Sequence, residues 1–384
     1  MEAYLDNSAT TRVSDTVKDL MVKVMTEDYG NPSSLHMKGV EAERYIREAT
    51  DTIAKLLKVQ PKEIIYTSGG TESNNLALIG GAMANKRAGN HIITSDIEHA
   101  SVLATMKFLE ENGFRITYLP VDENGHVSME ALLEALCDET IMVSVMHVNN
   151  EIGAIEPVEE ISKKIKAYKS SIIFHVDAIQ SFGKLMVNPK KMGIDMLSVS
   201  GHKIHGPKGS GFLYVSEKVK LKPTIFGGGQ QKGMRSGTEN VPAIAGIGLA
   251  SKEAYENFDA KISKMVELKD YFIDRITSLE NVTVNSKKGM ESAPHVISVT
   301  FNGVRSEVML HSLEGKKIYV SSGSACSSNK PAVSRTLKGI GLDDKQIDST
   351  IRFSLCYDTT KEELDYAVES IAGMIDMLRK FTKR

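Results

Sequence analysis

Over the first two hundred residues, short runs that are almost wholly apolar alternate with longer stretches whose apolar residues recur every three or four positions. The runs are "EIIYT" (63–67), "HIITS" (91–95), "RITYLPV" (115–121), "IMVSVMHV" (141–148), "IIFHVD" (172–177) and "MLSVS" (196–200), and helix-period stretches such as "SMEALLEALC" (128–137) and "EPVEEISKKIKAY" (156–168) separate them. Strands without a polar face must be covered on both sides, so the alternation predicts an α/β fold with a mostly parallel sheet between helical layers. A helical pattern begins near 240 and runs to about 280. Beyond it "HVISVTF", "IYVSS" and "STIRFSLC" alternate with helices, the last near 361–380. This predicts a smaller C-terminal α/β unit joined by a connecting helix. The expected division is a large domain over 15–255 and a small one from 1–14 and 256–384. No internal repeat or low-complexity tract is evident.

A chain of 384 residues has room for two such units. Its charges nearly cancel, 47 basic against 49 acidic, with no long run of one sign, which argues against a nucleic-acid or membrane surface and for small-molecule chemistry. Three cysteines, Cys137, Cys326 and Cys356, are too few and too scattered for a disulfide framework and lack zinc spacing. The start "MEAYLDNSATTR" is acidic where a signal peptide would be basic, and no run approaches the roughly 20 apolar residues that span a bilayer. A cytoplasmic location is expected.

Ligands of open parallel sheets bind beyond the carboxyl ends of the strands, so the residues after each run carry the chemistry. "SGGTESNN" follows the first run and offers backbone N–H groups and the Thr71 hydroxyl at a helix N-terminus, either an anion site or a capped glycine turn. Asp177 ends "IIFHVD", where a desolvated carboxylate needs a cation, unless it caps the next turn. "MLSVSGHK" delivers Lys203 to the same edge, where burial depresses an amine and leaves a nucleophile able to condense with an aldehyde. Lys208, in "GPKG", is expected to face water. His202 and His205 have a helix-like metal spacing, but a Gly-Pro turn follows and no carboxylate or cysteine stands nearby in sequence, so no metal site is expected. A phosphate cradle, a carboxylate for a pyridinium nitrogen and a strand-end lysine together suit pyridoxal 5'-phosphate. Cys326 alone among the cysteines sits among small residues, in "SSGSACSSN"; it is either a mobile nucleophile or an inert thiol. Cys137, beside Leu133 and Leu136 on a helical pattern, reads as core, and Cys356 as packed.

The motifs "YLDNSATT", "YGNPSSLH", "TSGGTESNNLAL", "IEHASVL", "MHVNNEIGAIEP", "HVDAIQSFGK", "SVSGHKIHGPKG", "GGGQQKGMRSGTEN", "VSSGSACSSN" and "IRFSL", in this order, resemble the cysteine desulfurases of the NifS and IscS kind over essentially the whole chain. The resemblance implies a homodimeric pyridoxal-phosphate enzyme of fold-type I, aspartate-aminotransferase-like, that converts L-cysteine to L-alanine and holds the sulfur as a persulfide. Matched position by position, it implies that Lys203 carries the cofactor, Asp177 partners the pyridine nitrogen and His99 stacks on the ring and moves protons. It further implies that Gln180 and Asn150 face the cofactor's 3-oxygen and the substrate. Gly70, Thr71, Ser200 and His202 match the phosphate shell, and Thr238 a phosphate contact from the neighbouring subunit. Arg352 matches the grip on the substrate carboxylate, and Cys326 the persulfide nucleophile. Implied acceptors are an iron–sulfur scaffold protein or a sulfurtransferase that thiolates transfer RNA. IscS-like sequences continue past the final helix, whereas this one ends at "DMLRKFTKR", so weaker scaffold docking or a different preferred partner is expected. Selenocysteine lyase or another fold-type I activity, and a non-catalytic binding protein on the same scaffold, stay open as alternatives.

Overall fold

The computed structural model describes residues 1–322 and 333–382, so Cys326 lies outside the described residues. After a short β1 (Ala3–Tyr4), the larger unit contains β2 (Ile64–Thr67), β3 (His91–Ser95), β4 (Arg115–Leu119), β5 (Thr140–Met146), β6 (Ile173–Asp177), β7 (Met196–Ser200) and β8 (Gly211–Val215). These form one sheet in the order β2-β8-β7-β6-β5-β3-β4. All neighbours are parallel except β8, which runs antiparallel to both β2 and β7.

The two-residue side-chain period sorts the apolar runs onto two faces. Ile93, Val143, Phe174 and Leu197 pack with Ile53, Leu57, Ile161 and Ile247 on one side. Their chain neighbours Ile92, Met142, Ile173 and Met196 pack with Leu76, Leu78, Val102 and Met106 on the other. Every position of β3, β5, β6 and β7 is buried, which is why these runs show no polar alternation.

The smaller unit holds β9 (Val282–Val284), β10 (Val296–Phe301), β11 (Ile318–Tyr319), β12 (Ser321–Ser322) and β13 (Thr350–Ser354). Four of these make an antiparallel sheet in the order β12-β13-β10-β9, while β1 pairs with β11 in parallel. Phe272, Ile297, Val299, Phe301, Phe353 and Ile371 lie at the centre of its separate core.

Two readings of the sequence are corrected here. The connecting helix is two helices, Val241–Tyr255 and Phe258–Thr277, parted at Asn257, whose φ of 51° is left-handed. Asparagine tolerates that conformation because its side chain bonds locally, and it lets the chain turn from the large core to the small one. The run "GFLYV" was not among the expected strands, yet it forms β8. It follows β7 after only the segment 201–210, whose one helical piece is the single turn Gly201–Lys203, too short for the crossover that parallel pairing needs.

The N-terminal segment stitches the units together. Asn7 Nδ2 donates to Ser354 O (3.0 Å), Ser8 N to Ser354 Oγ (2.8 Å), and Thr11 N to His202 O (2.9 Å). Residues 6–11 thus run from the end of β13 to the turn after β7.

Candidate active site

The carboxyl ends of β6 and β7, the loops after β3 and β5, the N-terminal segment and β13 surround a cavity of about 510 Å³. Gly70, Thr71, His99, Asn150, Asp177, Gln180, Ser200, His202, Lys203 and Arg352 all line it. Of the expected residues that are described, the fold leaves one away from it. Thr238 is exposed and lines no part of this chain's cavity, and Cys326 is outside the described residues.

Asp177 is buried at the last position of β6, where its Oδ1 accepts from Ile179 N (2.9 Å) and its Oδ2 from Asn74 Nδ2 (2.8 Å). Burial pushes its carboxyl up from the ordinary range, against these two hydrogen bonds and the attraction of His99 and Lys203. Asn74 also donates to Ser101 Oγ (2.9 Å), so the Ser101 hydroxyl proton is directed to His99 Nδ1 (2.8 Å). Ser101 N donates to the same Nδ1 (3.1 Å), as expected where His99 caps the helix Ala100–Glu111. With Nδ1 accepting, a neutral ring carries its proton on Nε2. Burial lowers the His99 pKa, Asp177 opposes that shift and Lys203 adds to it. The ring is nevertheless open to the cavity, which accounts for its exposure amid dense protein.

Lys203 ends the short turn Gly201–Lys203, and its ammonium donates to the carbonyls of Ser8 and Ala9, the latter at 2.8 Å. Its own carbonyl accepts from the buried Lys184 Nζ (2.6 Å), an amine that burial, aided by the Lys203 charge, pushes down to about 8. His202 Nδ1 lies 3.2 Å from Thr10 Oγ1; burial, and then Lys203, hold the ring near 4, so it is neutral at physiological pH. Lys208 is exposed, as expected. At the helix start, a Cβ on Gly70 would come within 2.1 Å of Ile179 Cδ1, so this wall admits only glycine without displacement. Gln180 is fixed at both ends, donating to Ser8 O (3.0 Å) and accepting from His295 Nε2 (3.1 Å).

Arg352, buried on β13, donates from Nη1 to Asn150 O (2.9 Å) and from Nη2 to Asp6 Oδ1 (3.0 Å), while its buried Nε has no partner among the described residues. A guanidinium so braced keeps a planar donor edge for a carboxylate.

Sequence reasoning missed Asp6, Asn74 and Glu98. Glu98 is buried between Ser95 Oγ (2.6 Å) and Met146 N (2.8 Å), both donating to Oε1, and burial holds its carboxyl near 8. Its position next to His99 in "IEHAS" was the available signal. Asp6 and Asn74 gave none, since their partners lie 346 and 103 residues away. Cys137 departs from expectation. It lies past the end of the helix Met129–Ala135, half-buried, with Arg115 Nη2 donating to Sγ (3.0 Å). Desolvation pushes its thiol up, but the hydrogen bonds of Thr140, Arg115 and the Glu139 backbone, with the Arg115 charge, together outweigh it and lower the pKa. Among the described residues no helix is long and apolar enough to cross a membrane.

The profile of the Aminotransferase class-V family matches residues 3–367. The chain is similar to a cysteine desulfurase IscS of Dictyoglomus turgidum, 44% identical over 379 residues, covering 98% of this chain and 95% of that protein. A solved NifS-like protein superposes with a TM-score of 0.93 at 38% identity, covering 98% of this chain and 100% of the other. A structure of SspA in complex with cysteine gives a TM-score of 0.80 at 36% identity, over 93% of this chain and 100% of that one.

Proposed function

Because the chain belongs to the cysteine desulfurase family of the class-V aminotransferases, we propose that it moves the sulfur of L-cysteine onto Cys326 as a persulfide, releases L-alanine and passes the sulfur to an acceptor protein. The family uses pyridoxal 5'-phosphate, which when bound supplies an electron sink for the substrate's α-carbon. The donor set of the cavity fits that group. The raised, doubly hydrogen-bonded Asp177 suits a protonated ring nitrogen, Lys203 an aldehyde, and the Gly70 wall with Thr71, Ser200 and the neutral His202 a phosphate.

The chain's own groups then have distinct tasks. Arg352 binds the substrate carboxylate, with Asn150 and Gln180 beside it. Lys203 and His99 take and return protons at the α-carbon and the amine, and the Asn74–Ser101 relay fixes which nitrogen of His99 is available. The Cys326 thiolate attacks the substrate sulfur. An S–S bond forms as the Cβ–S bond breaks, and the electron pair of that bond ends, with a proton, in alanine. The observation that carries this reading is the convergence of Lys203, Asp177, His99 and Arg352, from four separate segments, on one cavity.

Residues 15–255 are read as the unit that holds the cofactor, and 1–14 with 256–384 as the unit that brings Cys326. A homodimer is part of the proposal, with Thr238 of each subunit reaching the other's phosphate. Exposure of Val22, Met25, Tyr29, Leu35, Met37 and Val40 within one stretch supports an interface there. The same reading has the protein act in the cytoplasm on an iron–sulfur scaffold or a transfer-RNA sulfurtransferase. Cysteine turnover by purified protein tests the function: wild type should yield alanine and, with reductant, sulfide. Cys326→Ser should bind cysteine and the cofactor yet release no sulfide. Full sulfide release by Cys326→Ser would refute the assignment, and sedimentation as a fully active monomer would refute the dimer.

A further inference from the structure

His205, Cys356 and Asp358 come together in the fold although the first is far from the other two in sequence. One potential ligand atom from each lies within 4.8 Å of the other two. His205 is buried, held at a left-handed φ of 61°, and its ring packs on Tyr357 with centroids 4.4 Å apart. Its Nδ1 is 3.0 Å from Arg12 O. A carbonyl can only accept, so Nδ1 carries the proton and the neutral ring keeps its lone pair on Nε2. Donation of the second ring nitrogen to a backbone carbonyl is the support that ligating histidines usually have. Cys356 follows β13 by two residues and is half-buried, with Thr359 Oγ1 3.8 Å from Sγ. Asp358 is exposed, so its carboxylate can turn without disturbing packing.

We propose that these three side chains form a divalent-metal site that takes Zn²⁺, with a fourth position left for a small exogenous donor. Nitrogen, sulfur and oxygen donors at one point suit a borderline cation, and three protein ligands with an open position are a common zinc arrangement. Donors at about 2.0 to 2.3 Å from zinc stand roughly 3.3 to 3.8 Å apart, a modest closure that a rotation of the exposed Asp358 side chain supplies. The thiol proton leaves to water as the metal–sulfur bond forms, and thiolate plus carboxylate neutralise the dication. Two ammoniums approach the group, those of Lys184 and Lys261, and carbonyls hold both, at Lys203 O (2.6 Å) and Glu253 O (2.6 Å). The sequence reading of no metal site rested on the absence of nearby ligands, and the fold supplies them from the C-terminal segment. Since His205 follows Lys203 by two residues and Cys356 follows Arg352 by four, the metal would clamp the turn after β7 to the end of β13.

The test uses the full-length holoenzyme, stripped with a chelator and titrated with Zn²⁺ against a chromophoric competitor. Bound metal is counted by elemental analysis, and its ligands are read by X-ray absorption. The expected result is a single tight Zn²⁺ per chain with sulfur in its shell. Cys356→Ser and His205→Gln should lose it, while Cys137→Ser and Cys326→Ser should keep it. Should the buried variants fail to hold their cofactor, Asp358→Asn decides, because its side chain is exposed: affinity should fall at least about tenfold. Undiminished binding in Asp358→Asn, a sulfur-free shell, or loss of the metal in Cys326→Ser would overturn the proposal, as would wild type that retains no zinc.

Discussion

At the residue scale, the buried Lys184 sharpens the assignment of the cofactor lysine. It is a depressed amine, at about 8, one hydrogen bond from the backbone of Lys203. Yet Lys184 Nζ donates to that backbone carbonyl and does not line the cavity, whereas Lys203 does. Borohydride reduction and peptide mapping should therefore find the pyridoxyl group on Lys203 alone; recovery on Lys184 or Lys208 would sink the assignment. Asn74 yields a second expectation. Both hydrogens of its amide are used, one on Asp177 and one on Ser101, so Asn74→Ala leaves a buried carboxylate short of a donor and lets the Ser101 hydroxyl turn away, with Ser101 N left alone on His99 Nδ1. Losing a donor to a buried group costs about 1–3 kcal/mol, so turnover should fall by roughly ten- to a hundredfold. A positioning role predicts that the pH–rate profile shifts as well, and an unchanged profile at full turnover would exclude it. Lys203 and Asp177 were legible because each ends an apolar run at the edge where such sheets bind ligands. Asn74 and Asp6 were not, because their meaning depends on partners that only the folded chain supplies.

At the element scale, most strands were legible for the same reason that their registers are firm: burial on both faces forces continuous apolar runs. What escaped, besides the short β1 and β9, was β8, a short run lacking the helix that marks a parallel crossover, and the break at Asn257, where two helices with different partners share one period. The position of β8 matters to the site. A Cβ on Gly211 would meet Gly69 Cα and Val199 O, both at 2.7 Å, and neither backbone can move alone. Gly211→Ala should push β8 off β7 and distort the Gly69–Gly70 turn, with overpacking of about 1–3 kcal/mol and weaker cofactor retention, read by thermal melts and cofactor dialysis. An unchanged melt and retention would show that the sheet yields there. The last helix, Lys361–Thr382, offers the opposite case. Gly373 is exposed in its interior, and an added Cβ meets nothing within 4 Å. Gly373→Ala should stabilise by about 0.5–1 kcal/mol, and a lower melting temperature would contradict the helical geometry there.

At the scale of the whole molecule, two cores joined by the N-terminal segment bury titratable groups of opposite tendency, and this sets how stability depends on pH. Burial holds His91, His147, His202 and His205 near 4 and His175 near 3. These folded values lie below the unfolded one of 6.5, so the unfolded chain binds more protons as pH falls from about 6.5 to 4, and stability drops with it. Burial likewise holds Glu98 and Glu156 near 8, above the unfolded 4.5. Their contribution is complete below about 4.5 and is lost as pH rises toward 8, at up to about 1.4 kcal/mol per pH unit for each group. Between 4.5 and 6.5 the five imidazoles outweigh the two carboxyls. From 6.5 to 8 the carboxyls act without them, and above about 8 the depressed Lys184 and Lys269 work in the stabilising direction as pH rises. Between about pH 4 and 8 the apoprotein should therefore melt highest near pH 6.5 and lose stability on either side. Glu98→Gln combined with Glu156→Gln keeps an acceptor oxygen for Ser95, Met146 and Val127 while removing the titration. Melting curves from about pH 4 to 9 should show the decline above 6.5 flattened in the double variant and the acid limb intact; an alkaline limb that persists unchanged would mean that neither carboxyl is protonated in the folded chain.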